Sequence, residues 1–407
     1  MTNLAHKIAI KTSKRQSAQL EQFANHARFA FNWGLERWNT LYQAGCKPSV
    51  NQIDKDFNKC KKVLFPWIYS SPKDAMQTAI KADLKSAFNR FFKEKKGYPK
   101  FKSKHKSKLS FTITNDKFKI YDRTIKVPKL GELKLREKLR EKLRYSGKIM
   151  SATFSKDGER WFVSIQVDLG AEYRLPRAPQ KTIGVDLGIS AALVTNEKNF
   201  WKAPRPLRKS LKKLKYLNKE LSRRKRGSSN WNKTKIKLRK LYFRIKSIRL
   251  DWIHKRTFKL SDENQVIFLE SLNVEGMLKN PNLALHISDI SFHEIKRQLI
   301  YKTELRSGLV HGIDRWFPSS KLCSSCGWKN TELTLKDRKF KCNCCGLDID
   351  RDLNAAININ TAGHAEIKAC GEVSSGFEWL LAATRSETDS VKQESKVLPT
   401  CTQVGIF

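Results

Sequence analysis

Acidic residues are what this sequence is short of: across 407 residues, 39 Asp+Glu face 81 Lys+Arg, a formal net charge of +42. The isoelectric point is near 10.0. A chain so one-sided repels itself unless a polyanion neutralises it, so the deficit points to nucleic acid as partner. Long apolar runs are missing as well. No stretch of about 18 uncharged apolar residues occurs, which excludes an ordinary membrane-spanning helix. The first residues, "MTNLAHKIAIKTSKRQ", lack the apolar core of a secretion signal. A soluble, intracellular protein with no membrane partner is expected. Cysteine is sparse and unevenly placed: nine in all, four of them grouped as two C-x-x-C pairs. An odd number so distributed is not a disulfide framework, and Cys46, Cys60, Cys370 and Cys401 read as isolated thiols.

The patterns that are present divide the chain. In "AHKIAIKT", Ile8 and Ile10 fall on one side of a short strand. The next segment spaces Leu20, Phe23, Ala27, Phe31, Leu35, Trp38 and Leu41 three or four apart, as a helix does. A second helix follows in "SSPKDAMQTAIKADLKSAFNRFF", with Ser71 expected as N-cap, Pro72 as first helical residue and Asp74 as the returning carboxylate. Residues 15–95 thus read as a helical module. After "GYPKFKSKHKSK" the period changes to two. "FTITNDKFKIYDRTIKVPKL" and "MSATFSKDGERWFVSIQVDL" read as strands, with an Asp157-Gly158 hairpin turn and Val163, Ile165 and Val167 on one face. With the N-terminal strand they are expected to close a small β-barrel from residues 1–14 and 96–180, interrupted by the helical module.

Beyond the linker "EYRLPRAPQK" lies the most basic part of the chain. Between Trp201 and Leu250 there are 20 Lys/Arg and one acid, Glu220. Leu214, Leu217 and Leu221, then Leu238, Leu241, Ile245, Ile248 and Trp252, repeat at three and four residues, with "RGSSN" as the bend. A helical hairpin over about 205–258 is expected, with an apolar seam and a cationic outside. A charge run is usually a solvated face. One of a single sign on both helices suits a phosphate backbone better, and Arg223, Arg224, Lys225, Arg226, Lys235 and Arg239 are the candidate nucleic-acid contacts.

Two groups of residues have metal-binding chemistry. Cys323 and Cys326 in "CSSCG", with Cys342 and Cys345 in "CNCCG", form two knuckles, each with a glycine after its second cysteine. That spacing fits one tetrahedral zinc with a closed coordination sphere, hence a structural ion in a ribbon over 321–346. Cys344 would have to tighten a knuckle to take part and is left out. The second group needs a harder metal. Asp186 closes the apolar strand "TIGVD", Glu270 closes "QVIFLE", and Asp352 precedes the helix "LNAAININ". Singly these read as a turn residue, a strand-end charge and an N-cap. Together, in a basic chain, they suit magnesium, or manganese in its place, which prefers carboxylate oxygens drawn from separate segments. Asp350 lies two residues before Asp352, and only one of the two is expected to face inward. Two strands followed by a carboxylate-bearing helix suggest an RNase H-like sheet.

The stretches "GVDLGI", "FLESLNVEGM", "DRWFPSSKLCSSCG" and "CGLDIDRDLNAAINI", in this order, resemble the RuvC and zinc-ribbon motifs of the TnpB family, transposon-encoded RNA-guided DNA nucleases ancestral to type V CRISPR effectors. "GYPKFKSK" and the helical N-terminal module resemble that family too, and the likeness spans about residues 5–362. It implies an α+β multidomain chain with a wedge-like β-barrel, a helical recognition module, a RuvC-like nuclease domain over 181–320 and 347–367, and the inserted zinc ribbon. It implies a guide RNA from the transposon end, double-stranded DNA as target, and a cytoplasmic, nucleoid-associated protein, monomeric on its RNA or dimeric. Carried over by position, the catalytic carboxylates are Asp186, Glu270 and Asp352, holding two magnesium ions for phosphodiester hydrolysis. A DNA-binding transposase or recombinase, a nuclease-inactive RNA-guided repressor and a compact CRISPR effector are the rival readings. From about Lys368 the chain loses its basic excess, and a loosely attached tail over 368–407 is expected.

Overall fold

The alternation near the N-terminus becomes strand β1 (Asn3–Lys11), with Ile8 and Ile10 buried. This is a computed structural model, which describes residues 3–104, 106–139, 147–170, 175, 178–334 and 336–370. The chain divides into two units, one of residues 1–173 with Lys235–Phe243 and one of residues 174–234 with 244–407. The segment expected as a loose tail lies, past its first residues, outside the described residues.

In the first unit, helix α1 (Lys14–Gln43) starts at a capping box in which Ser13 and Gln16 exchange side-chain and backbone hydrogen bonds. Helix α2 (Val50–Leu64) follows, then α3 (Lys73–Thr78), a π-helical stretch over Ala79–Leu84, and α4 (Lys85–Phe92). Ser71 does not cap α3 as expected. Its hydroxyl shares a 2.6 Å hydrogen bond with His26 Nδ1, a buried ring on α1 that competes for it, and Pro72 stands at the cap. Asp74 does not fold back either. It accepts from the Thr114 amide at 3.2 Å, tying α3 to the sheet.

That sheet has seven antiparallel strands: β1, β2 (Ser110–Thr114), β3 (Lys119–Ile120), β4 (Thr124–Val127), β5 (Gly131–Leu135), β6 (Lys148–Asp157) and β7 (Arg160–Asp168). Their order is β2-β6-β7-β1-β5-β4-β3, so β2 and β3 are the two ends of the hydrogen-bonded series. The β6–β7 hairpin turns at Gly158 and Glu159, one residue later than expected because Asp157 still pairs with Arg160, and Gly158 takes a φ of +63° that a side chain would strain. Val163, Ile165 and Val167 are buried on one face, as alternation demands. Helices and sheet share one core, in which Phe23 meets Phe111 edge-on at 5.7 Å and Phe111 stacks on Phe154 at 5.0 Å.

The second unit holds a five-stranded sheet of β8 (Thr182–Asp186), β9 (Leu193–Thr195), β10 (Phe200–Trp201), β11 (Val266–Glu270) and β12 (Leu309–Ile313). The order is β10-β9-β8-β11-β12, antiparallel from β10 to β8 and parallel from β8 to β12. Between β10 and β11 the basic region forms α5 (Pro206–Arg223) and α6 (Ser229–Glu263), of which Lys235–Phe243 groups with the first unit. Ser228 caps α6 at the bend. Of the residues expected to form the seam, Leu214, Leu217 and Ile245 are buried, whereas Ile248 is 38% exposed. The start of α5 is held by Asp289, a buried carboxylate accepting from the Leu207 and Arg208 amides at 3.0 and 2.9 Å. A negative charge on exposed helix-start amides is favourable, and nothing local in the sequence marks it. Asp289 ends α8 (Pro281–Ile290), which follows the short α7 (Val274–Lys279) and precedes α9 (Phe292–Glu304). A small hairpin of β13 (Lys339–Lys341) and β14 (Asp348–Asp350) leads into α10 (Arg351–Cys370). Among the described residues no helix is long and apolar enough to cross a membrane.

Candidate functional site

Because β8 and β11 are parallel neighbours, the residues at their C-terminal ends, Asp186 and Glu270, emerge at the same edge of the sheet. That edge is where open sheets with parallel strands commonly bind ligands. Helix α10 supplies the third carboxylate by lying against the sheet. Gly184 on β8 has no Cβ, and one built there would stand 2.3 Å from the Ala356 carbonyl and 2.6 Å from the Asn360 amide of α10. Gly363 similarly clears the ring of Phe268 on β11, and Thr182 shares a 2.9 Å hydrogen bond with His364. Helix and strand thus meet backbone to backbone, and this register sets Asp352, in the first turn of α10, at the edge carrying Asp186 and Glu270.

Gly188 gives the meeting point. A Cβ there would lie 3.8 Å from Asp186 Oδ2 and 3.9 Å from Asp352 Oδ2, so both carboxylates face the space this glycine leaves open. Glu270 accepts a 3.2 Å hydrogen bond from the Ser319 hydroxyl. Asp350 is occupied elsewhere: its Oδ1 accepts from the Asp352 and Leu353 amides at 3.0 and 3.1 Å, so it caps α10.

The electrostatics follow from burial. Asp186 is pushed well above the usual carboxylate range, first by burial and then by the charges of Glu270 and Asp352. Glu270 is raised by burial against the opposing hydrogen bond from Ser319. Asp352 is raised by burial and then by Asp350. Three like charges held out of water are costly unless a cation shares the site. The donor set is all carboxylate oxygen, which suits a hard divalent ion such as magnesium or manganese.

The cysteines form a tighter group. The sulfurs of Cys323, Cys326, Cys342 and Cys345 all lie within 4.8 Å of one another, and no other His/Cys/Asp/Glu set converges so closely among the described residues. The pairs Cys323–Cys345 and Cys326–Cys342 are 3.5 Å apart, near the edge of about 3.8 Å that a tetrahedron with zinc–sulfur bonds of about 2.3 Å requires. Each knuckle turns through its glycine, Gly327 at φ +75° and Gly346 at φ +76°, and closes through an amide donated back to the first cysteine's carbonyl. The Cys345 thiol is held down to about 7, chiefly by the Leu347 amide, whereas burial pushes Cys323 up to about 12. Cys344 stands outside the set.

Sequence reasoning missed the ties between these two groups. Asn354 and Asn358, buried on α10, both donate to the Leu322 carbonyl, at 2.6 and 2.7 Å, and Asn358 also donates to Ser319 at 2.7 Å. The available signal was two asparagines four apart on an otherwise apolar helix face. Arg351 reaches the Thr334 and Asp337 carbonyls at 3.0 and 3.3 Å, holding the ribbon to the start of the same helix.

Of the candidate nucleic-acid contacts, Arg223, Lys225 and Arg226 are exposed at the bend. Arg224 is spent within the hairpin, paired with Glu220 and donating to the Asn230 carbonyl at 2.6 Å. Arg239 pairs with Glu159 at 3.5 Å, and Lys235 is half-buried.

An α/β unit with carboxylates at the edge of a mixed sheet and a four-cysteine ribbon beside them defines a class, and comparison with known proteins narrows it. Residues 164–281 match the family described as "Probable transposase", 292–359 match "Cas12f1-like, TNB domain", and 1–47 match "Helix-turn-helix domain". In the structure those first 47 residues hold β1 and the single long helix α1. The name "Putative RNA-guided DNA endonuclease" belongs to a Streptomyces pristinaespiralis protein 32% identical over 398 residues, covering 96% of each chain. With the suffix InsQ it belongs to an Escherichia coli protein 30% identical over 387 residues, covering 91% of this chain and 94% of the other. The chain belongs to this TnpB family. The fold is also similar to that in the "Cryo-EM structure of the Cas12f1-sgRNA-target DNA complex", with a TM-score of 0.52 at 14% identity over 86% of this chain and 83% of that one.

Proposed function

We propose that this chain is an RNA-guided DNA endonuclease of a transposable element, hydrolysing phosphodiester bonds at one site formed by Asp186, Glu270 and Asp352. The observation that carries the reading is the meeting of a buried carboxylate, Asp186 on β8, with the half-buried Glu270 of β11 and Asp352 of α10 at one sheet edge. Names of the relatives supply the substrate: two proteins matched over nearly their whole length are named for RNA-guided DNA cleavage. A nuclease-inactive repressor would have little use for all three acids, and their presence disfavours that reading.

Asp186, Glu270 and Asp352 would hold two magnesium ions, which when bound supply Lewis-acid activation of water and stabilisation of the leaving oxygen. The chain's own part is placement. Strand ends fix Asp186 and Glu270, the Ser319 hydroxyl orients Glu270, and the cap on Asp350 leaves Asp352 free to face the site. The four cysteines would hold a structural zinc, whose closed sphere orders the ribbon and leaves no position for water. Sequence selection would fall to guide pairing, with the exposed cations of the α5–α6 bend contacting backbone phosphates. The seven-stranded sheet with β1 would serve as the wedge-like domain and α1–α4 as the recognition module.

Replacing Asp186 by alanine tests this. Asp186→Ala protein, purified with its RNA, is expected to retain that RNA and lose target cutting by at least about 100-fold, in line with the cost of disturbing a metal site. Undiminished cutting would sink the carboxylate assignment.

A further inference from the structure

Between β12 and the ribbon, "DRWFPSS" carries a side chain that the fold does not use. Trp316 is 79% exposed, although a buried indole is among the largest single contributions a side chain makes to a core. The chain on both sides of it is anchored through Asp314, Phe317 and Ser319. Asp314 accepts from the Trp316 amide at 3.2 Å, and its own amide donates to Glu366 on α10 at 3.0 Å. Phe317 packs against Val266, Phe268 and Ile313. Ser319 is bound by Asn358 on one side and donates to Glu270 on the other. The loop is therefore fixed at both flanks and holds the indole out, with the Arg315 guanidinium 5.1 Å from its ring centroid.

The placement matters because Ser319 touches a carboxylate of the site. Three residues of chain reach at most about 11 Å, so Trp316 stands within roughly three nucleotide rises of about 3.4 Å from the Ser319 that binds Glu270. An indole with a guanidinium beside it is the chemistry that holds an unpaired base by stacking and its phosphate by charge. A duplex offers no open base face at that position, whereas a single strand does.

We propose that Trp316, with Arg315, is a stacking platform that takes one unpaired base of the DNA strand entering the carboxylate site. The inference rests on the nuclease reading of that site. It makes Trp316 a positioning residue, acting on how the strand is presented and leaving the ions to the carboxylates.

The test separates the two readings by measuring binding where no cutting is needed. In the Asp186→Ala chain carrying its RNA, affinity for a fluorescent single-stranded DNA is compared among Trp316, Trp316→Phe, Trp316→Leu and Trp316→Ala, and repeated with single-stranded RNA of the same sequence. Stacking on one aromatic ring is worth about 1–3 kcal/mol, so Ala and Leu are expected to weaken DNA binding by about five- to 150-fold. Phe should retain most of it. With Asp186 intact, Trp316→Ala should raise KM for the target more than it lowers kcat, at an unchanged melting temperature, because the ring is exposed. Equal DNA affinity for Trp and Ala overturns the proposal, as does a Leu variant that matches Phe. A loss confined to RNA reassigns the ring to the guide and overturns it too. Should Asp186→Ala still cut, the carboxylate reading fails, while the binding series still decides whether the ring holds a base.

Discussion

Asp350 and Asp352 stand two residues apart, and the start of a helix gives them different work. Asp350 accepts two amides from the first turn, while Asp352 is half-buried beside Asp186. Removing a cap of this kind costs about 1 kcal/mol, so Asp350→Ala is expected to lower the melting temperature by a few degrees and leave cutting within a few-fold of wild type. Asp352→Asn keeps the shape and removes the charge, and should abolish cutting with little change in melting. The reverse pattern in calorimetry and a cleavage assay would exchange the two roles. At this scale the sequence was partly legible. An acid at the end of an apolar strand is conspicuous, so Asp186 and Glu270 could be found unaided, as could cysteines spaced for a knuckle. The cap was not separable from the carboxylate that faces the sheet edge, because that needs the residue at which the helix begins. Ser71 failed for a different reason: its partner, His26, lies 45 positions away, and no local rule weighs such a competitor.

Among the elements, helix α10 has two tasks, since it brings one carboxylate to the sheet edge and ties down the ribbon. Its approach to β8 depends on Gly184, and an added methyl would meet backbone atoms that cannot turn aside. Overpacking of this kind costs about 1–3 kcal/mol, and a displacement of about 1 Å at a reacting group can cost about 100-fold in rate. Gly184→Ala is therefore expected to lower the melting temperature and reduce cutting by at least about ten-fold, with RNA retained. Wild-type melting and cutting would mean that the helix is not held by this close approach. In the second unit the strands ending at Asp186 and Glu270, the two helices of the basic hairpin with their bend, and the helix after Asp352 were legible from their periods, whereas α7, α8, α9 and β12 were not. The cap on α5 was not, because Asp289 reaches it from a helix about 80 residues onward. Nor was the π-helical stretch over Ala79–Leu84, which no spacing of apolar residues announces.

The charge of the whole molecule was the plainest signal in the sequence, and the structure refines what it counts. Of the 81 Lys+Arg, some are spent internally, as Arg224 is on Glu220 and Arg239 is on Glu159. Only cations that displace counterions from phosphate contribute to salt dependence, at roughly 0.9 in log K per log of salt for each phosphate on duplex. A chain that lays six to ten cations along a duplex backbone should lose about 10³- to 10⁵-fold in affinity between roughly 50 and 200 mM salt. Affinity of the cleavage-silent Asp186→Ala complex for its target, measured across that range, should show such a slope. Replacing the exposed Arg223, Lys225 and Arg226 by alanine should flatten it by roughly 0.9 for each phosphate left unneutralised, with affinity falling alike for every target sequence, since cations on phosphates position without specifying. Replacing Arg224 should instead loosen the hairpin and lower its melting while leaving the slope within error, because its guanidinium is already committed to Glu220. A triple variant with an unchanged slope would place the phosphate path away from the bend, and a wild-type slope near zero would leave the positive excess without the polyanion it implies.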